Sequence, residues 1–361
     1  MPPTSKTGGR GGDTRRRFEQ WAHNPQCQAN TLSAVHGIEM RAVAKFEGGT
    51  PTMGQSPFAL ARGRNFERIL FRDGASALLA ELVKQGVLPK GSSGFKDFRL
   101  KLNGGTARTL EEAQALTTDI LRVAATEPAR VPAVLTGATV TIPGNLMLPK
   151  ATLVLDVIVF RQRKGDGKTE LVVGEIKTYP DRAGYTDPAE LAGARAQAGV
   201  YVHGLELVLS DLGLEKQLVI AREGLLVLSR PGSNQPSVRA SEDLRFQSER
   251  AKRGFALLHA AATAVDPLPE PEKESGLRVV AEAATAYDET CLSFCDRAEL
   301  CRKKGLDAGN AAVLGRDVAR FLGLTSLPRA VELLEGAKPA NEAEADLVRR
   351  ITDARTRGGL Q

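Results

Sequence analysis

The sequence predicts an α/β protein with a central sheet, and three observations carry that prediction. Apolar runs of strand length lie at 138–142, 151–160 and 169–177, a long helical stretch follows from Asp187, and two more such runs, KQLVIA and GLLVLSR, come after it. In order this reads β-β-β-α-β-β, a meander, a crossing helix and a second hairpin: about five strands in one mixed sheet, with helices on its faces.

Each element has a local reason. ATVTI (138–142) ends at a Pro143-Gly144-Asn145 turn, ATLVLDVIVF (151–160) ends at the polar turn RKGDGK, and TELVVGEIK (169–177) completes the meander. Asp187 followed by Pro188 is a helix start, and that helix runs to about Leu209. Upstream, Ser56-Pro57 opens a helix with apolar Phe58, Leu60, Phe66, Ile69 and Leu70, and Thr109 to about Ala125 repeats apolar positions three and four apart. Residues 1–14 are expected as a flexible basic tail and 15–130 as a helical N-terminal region, with a helical lead-in from Phe18 to His36. The sheet core takes 131–265, its last part, Ser241 to Val265, being read as helix. A Pro/Glu linker (266–276), a cysteine segment (277–310) and a small helical module (311–361) follow.

Composition narrows the class. The chain has 361 residues, 42% of them hydrophobic, and carries a formal charge of +6. That length suits two or three domains, and the mild positive balance fits a polyanionic partner without demanding one. No apolar run approaches the roughly 18 residues of a membrane span, Ala256 to Val265 being broken by His259. The N-terminus has no apolar core of a secretory signal, so a cytoplasmic location with no membrane contact is expected. The four cysteines are too few for a disulfide framework, which turns attention to metal or redox chemistry.

One charged residue stands out. Asp156 interrupts the apolar run LVLDVIVF, and a carboxylate in a central strand needs a partner or a cation. On the next strand Glu175 and Lys177 lie two apart, so alternation puts both on one face, and hairpin pairing lets Asp156 reach that face. Two hard oxygen ligands suit Mg²⁺, which keeps most of its waters and works beside substrate phosphate. Lys177 can then orient a water for in-line attack or stabilise the charge that develops on phosphorus.

Asp156, then Glu175-x-Lys177 on adjacent strands, resembles the PD-(D/E)xK nuclease superfamily. Gln197 and Tyr201, four apart on the following helix, resemble the Q-x-x-x-Y motif of its RecB-like subgroup, where that pair contacts the nucleic-acid backbone. Gly63-Arg64-Asn65-Phe66-Glu67 resembles the subgroup's first motif, with Glu67 where the family usually has a metal-facing His. The resemblance implies a restriction-endonuclease-like core with a central mixed β-sheet flanked by helices. It also implies Mg²⁺ (or Mn²⁺) held by Glu67, Asp156 and Glu175.

Cys291, Cys295 and Cys301 form a C-x3-C-x5-C array, with Cys27 far upstream. One early cysteine plus a late trio resembles the iron-sulfur nucleases of the CRISPR-associated and AddB types, whose trio is usually C-x2-C-x5-C. Four thiolates suit a 4Fe-4S cluster, and zinc is the alternative. Such a group would join the helical N- and C-terminal regions, and Arg302-Lys303-Lys304 would place positive charge beside it. Arg15, Arg16 and Arg17 read either as a phosphate grip or as a solvated tail. The activity implied is hydrolysis of single-stranded or end-bearing DNA in repair, recombination or defence against foreign DNA, with a helicase or another repair or defence protein as partner. The rival expectation is a non-catalytic DNA-binding scaffold subunit of such a complex.

Overall fold

The computed structural model describes residues 11–51, 57–98, 109–142, 151–163, 165–266, 268, 273–324 and 326–358. The Pro143-Gly144-Asn145 turn, Ser56 and residues 267 and 269–272 of the linker lie outside them. The chain opens with α1 (Gly11–His23), α2 (Gln28–His36), α3 (Met40–Phe46), α4 (Pro57–Leu70) and α5 (Arg72–Lys84). It continues through β1 (Phe95–Asp97), α6 (Leu110–Thr126), β2 (Val134–Thr141), β3 (Thr152–Gln162), β4 (Thr169–Pro180) and α7 (Pro188–Asp211). Next come β5 (Leu218–Ile220), β6 (Glu223–Ser229), β7 (Pro236–Asp243) and α8 (Arg245–Thr263). The last elements are α9 (Glu274–Glu282), α10 (Ala298–Asp307), α11 (Arg316–Leu322), α12 (Leu327–Leu334) and α13 (Glu342–Arg357).

Two compact units divide these elements. The first comprises residues 1–18 and 55–264, the second 19–54 and 265–361. The first is α/β, with a mixed open sheet in the order β1-β2-β3-β4-β6-β7 and β5 also on β4. β2, β3 and β4 are the antiparallel meander that alternation foretold, and β4 to β6 is a parallel step through α7. Asp187 caps α7 by accepting from the N–H groups of Ala189 and Glu190, with Pro188 at the first turn. Thr109 and Glu112 form a reciprocal capping box on α6.

Several expectations are corrected. KQLVIA and GLLVLSR are not a hairpin: β5 and β6 both run parallel to β4, along successive stretches of its edge. The hairpin partner of β6 is β7, whose last residues, Ser241 to Asp243, are strand and not the start of the helix that the sequence predicts from Ser241; α8 starts only at Arg245. Among the described residues the sheet therefore has seven strands, β1 pairing with β2 at one edge. Gly11 to Thr14 are helical where a tail was expected, because the apolar stripe holding Phe18 and Trp21 nucleates a helix that adds one hydrogen bond per residue upstream. Residues 57–130 join the sheet unit, since α4 and α5 bury Phe66, Leu70, Leu78 and Leu82 in one cluster with Val157, Val159, Ile176 and Leu225. Each such side chain contributes about 1.5–3 kcal/mol when taken from water.

The second unit is helical. Cys27, Leu32, Met40, Val43 and Val280 share a core, so α2 and α3 pack with α9. A separate small core of Ala311, Leu322, Ala330, Leu333 and Leu347 gathers α11, α12 and α13. Among the described residues no helix is long and apolar enough to cross a membrane.

Candidate functional site

Asp156 stands where β3 loses its pairing on both sides. Toward β2 the ladder runs Thr136↔Val157 and then Ala138↔Leu155, skipping the rung where Gly137 faces Asp156. Gly137 takes φ 68°, a left-handed conformation that favours glycine, so the break is built into the backbone. Toward β4 the last rung is Val157↔Gly174. Beyond it the Asp156 side chain replaces a backbone acceptor, Oδ2 receiving the Ile176 N–H at 3.1 Å. Gly174 has no room for a side chain: a Cβ there would run into Leu225 and lie 2.8 Å from Val157 Cγ1.

Glu175 is fully buried. Its Oε1 accepts from Lys177 Nζ at 2.5 Å and lies 3.6 Å from Arg15 Nη1 on α1, while Oε2 is buried and receives no hydrogen bond. Burial pushes the Glu175 carboxyl up to about 8, and the Asp156 charge acts the same way, against the pull of Lys177 and Arg15. For Lys177 burial acts downward, but the Glu175 and Asp156 charges outweigh it and hold the ammonium above the ordinary lysine value. Lys177 is thus a fixed cation, whereas Glu175 is the group able to exchange a proton.

The remaining residues are distributed as follows. Gln197 and Tyr201 lie on α7, whose buried stripe of Leu191, Ala194, Ala198, Tyr201 and Leu205 includes two residues packed on Leu226 and Leu228 of β6. Tyr201 is buried, and Gln197 is half-buried with an Oε1 that receives no hydrogen bond. Glu67 is half-buried on α4, whose Phe66 and Leu70 share a cluster with Ile176. Ile176 and Glu175 point to opposite sides of β4, so the structure does not gather Glu67 with the carboxylate pair. Arg17 is buried and donates to Thr14, and Arg16 is exposed.

The four cysteines all lie in the second unit. Cys27 precedes α2, Cys291 lies in a 3₁₀ turn (Glu289–Ser293), Cys295 follows it, and Cys301 is on α10. Asn24 ties the two segments together, donating from Nδ2 to the Ala286 carbonyl and to Cys291 Sγ. Burial pushes the Cys295 thiol up to about 12, with the charges of Cys301, Cys291 and Cys27 adding to it; Cys301 is raised chiefly by burial as well. Cys295 thus feels the other three thiols and Cys301 feels Cys27 and Cys291, and none of the four is in a disulfide. Beside them Arg297 is buried and grips Glu47 through Nε at 2.5 Å and Nη2 at 2.8 Å, and Lys304 reaches the same carboxylate at 2.7 Å. Among the described residues no group of three or more His, Cys, Asp or Glu side chains is arranged to hold a metal ion.

No family model, curated protein or solved structure matches this chain. The chemistry available at the two sites is thus argued from their own groups. Two carboxylates and two cations around one buried oxygen can hold a proton, or exchange their internal pairing for a hard cation and an anion. Arg15 and Arg297 are the neighbours that sequence reasoning did not single out. Arg15 was one of three adjacent arginines with no signal to separate them, and Arg297 had none at all, its partner Glu47 being 250 residues away.

Proposed function

We propose that this chain is a metal-dependent nuclease of the PD-(D/E)xK, RecB-like type, hydrolysing phosphodiester bonds of single-stranded or end-bearing DNA. The observation that carries the reading is the carboxylate pair Asp156 and Glu175 at the parting of β3 and β4, with Lys177 on Glu175. The succession α6-β2-β3-β4-α7-β5-β6 is what supports reading the unit as a restriction-endonuclease-like core.

The residues fit a divalent metal on one structural ground: the buried Glu175 Oε2 has no hydrogen-bond donor, as an oxygen reserved for a cation would not. Asp156 and Glu175 would hold Mg²⁺ or Mn²⁺. When bound, the metal supplies Lewis-acid polarisation of the phosphoryl group and neutralises charge. Lys177, as an ammonium, orients the attacking water and stabilises the negative charge gathering on the phosphoryl oxygens. Gln197 and Tyr201 position the DNA backbone from α7.

The donor set of Cys27, Cys291, Cys295 and Cys301, in which Cys295 feels the other three thiols, suits a 4Fe-4S cluster, with zinc as the alternative. That group would tie the segment around Cys27 to the segment around Cys291 within the second unit. DNA repair, recombination or defence in the cytoplasm, beside a helicase or similar partner, is the setting this chemistry suits.

Cleavage of labelled single-stranded DNA by the purified protein in Mg²⁺ or Mn²⁺, beside Lys177→Ala, tests the reading. Removing one electrostatic stabiliser should lower turnover by roughly 10²–10³-fold. Equal cleavage by both proteins would overturn it, and binding without cleavage by the unaltered protein would leave the scaffold role in its place.

A further inference from the structure

We infer that Arg15 is a further substrate-contacting residue of this site, an anion-binding group for a non-bridging oxygen of the DNA phosphate that meets Asp156 and Glu175. The inference rests on the nuclease reading and adds to it a residue that lies outside every motif of the sheet.

Three observations lead to it. First, Arg15 Nη1 is 3.6 Å from the same Glu175 oxygen that Lys177 holds, so two cations converge on one oxygen. The Arg15 side chain is 23% exposed although Nη1 itself is buried, so the rest of the side chain meets solvent at the edge of the site. Second, its seat is fixed. Phe18, one turn further along α1 and on the same face, stacks on Phe255 of α8 with centroids 3.9 Å apart and planes 5° from parallel. Phe18 is buried, so this contact anchors the turn that presents the guanidinium. Third, with Glu175 ionised, as a bound cation requires, two carboxylates face two cations. A divalent cation at the carboxylates brings excess positive charge, and the pairing of Arg15 with Glu175 then loses its value. A phosphodiester offsets part of that excess, and the planar fork of a guanidinium fits two of its oxygens, which the single ammonium of Lys177 does not.

The test uses the full-length protein, a fluorescein-labelled single-stranded oligonucleotide, Ca²⁺ in place of Mg²⁺, and fluorescence anisotropy across a salt series. Arg15→Ala should weaken binding about tenfold and make the dependence of log K on log salt shallower by about 0.7, the share of one phosphate contact on a single strand. Arg15→Lys should recover most of that slope but only part of the affinity, because it keeps the charge and loses the fork. Arg15→Gln replaces the alanine variant if a thermal melt shows that Arg15→Ala is unfolded. A salt slope and affinity equal to those of the unaltered protein would overturn the inference, whatever happens to stability, since an ion pair of purely structural value does not alter phosphate contacts.

Cleavage in Mg²⁺ is scored separately. Cleavage by the unaltered protein with a slope indifferent to Arg15 sinks the Arg15 role alone. An Arg15-dependent slope without cleavage sinks the nuclease reading alone, and absence of DNA binding sinks both.

Discussion

The Asp156 carboxylate, one residue past the last rung between β3 and β4, accepts the backbone N–H of Ile176 at 3.1 Å. A side chain thus does the work of a main-chain carbonyl at the point where the two strands separate. The same contact holds Asp156 beside Glu175, so the local fold and the proposed chemistry share one atom.

Substitutions at Asp156 should separate those two roles. Asparagine keeps an acceptor for Ile176, so Asp156→Asn should unfold close to the unaltered protein in urea while losing cleavage. Asp156→Ala leaves a buried N–H without an acceptor and should lose about 1–3 kcal/mol of stability as well. Equal stability of the two variants would show that the hydrogen bond has no structural value.

Glu175 should give the metal-free protein an unusual pH profile. Its carboxyl holds a proton up to about pH 8 in the native state, against an ordinary value of 4.5. Between those values the native state binds more protons than the unfolded chain, so this group's share of stability falls as pH rises from about 4.5 to about 8 and is level above that. The slope is bounded by about 1.4 kcal/mol per pH unit. Urea midpoints in EDTA from pH 5 to 8.5 should show this decline, and Glu175→Gln should flatten it.

In the second unit Arg297 is the residue whose loss should cost most. Its guanidinium also donates to the Val280 and Ala281 carbonyls, so removing it strands Glu47 and two acceptors. Arg297→Ala should lose about 3 kcal/mol, the lower end for a broken buried pair, because Lys304 still neutralises part of Glu47. Arg297→Lys should recover little, having no fork to serve several acceptors. Denaturation midpoints of the two variants decide this.

Anaerobic purification tests the cysteine site. A cluster should give brown protein with about four irons per chain, lost in Cys295→Ser. Colourless protein with one zinc per chain would assign the site to zinc, and metal-free protein of unchanged stability would remove the site altogether.

The sequence displayed some of this clearly and hid the rest for definable reasons. The meander and α7 were readable because alternation, continuous apolar runs and the Asp187-Pro188 cap are local signals. β7 was not, because PSVRASED carries polar residues at most positions of an edge strand and blends into the helix after it. β5 and β6 looked like a hairpin because Arg222 sits in a short turn between them, and only the pairing with β4 shows that they run the same way. Alternation also predicted that Glu175 and Lys177 share a face, and they bond to one another. The placement of Arg15 depended on a contact across 160 positions, which no local pattern encodes.

Gly174 gives the site a tolerance that no acid or base in it controls. Leu225 and Val157, the two side chains that close over it, are both fully buried and belong to a shared cluster, so neither can yield cheaply to a methyl group. A Gly174→Ala chain would keep every charge, ligand and cap in its sequence and still lose its alignment, because a wedge would enter between β4 and the strands on either side of it. The gauge of this site is the thickness of a hydrogen atom.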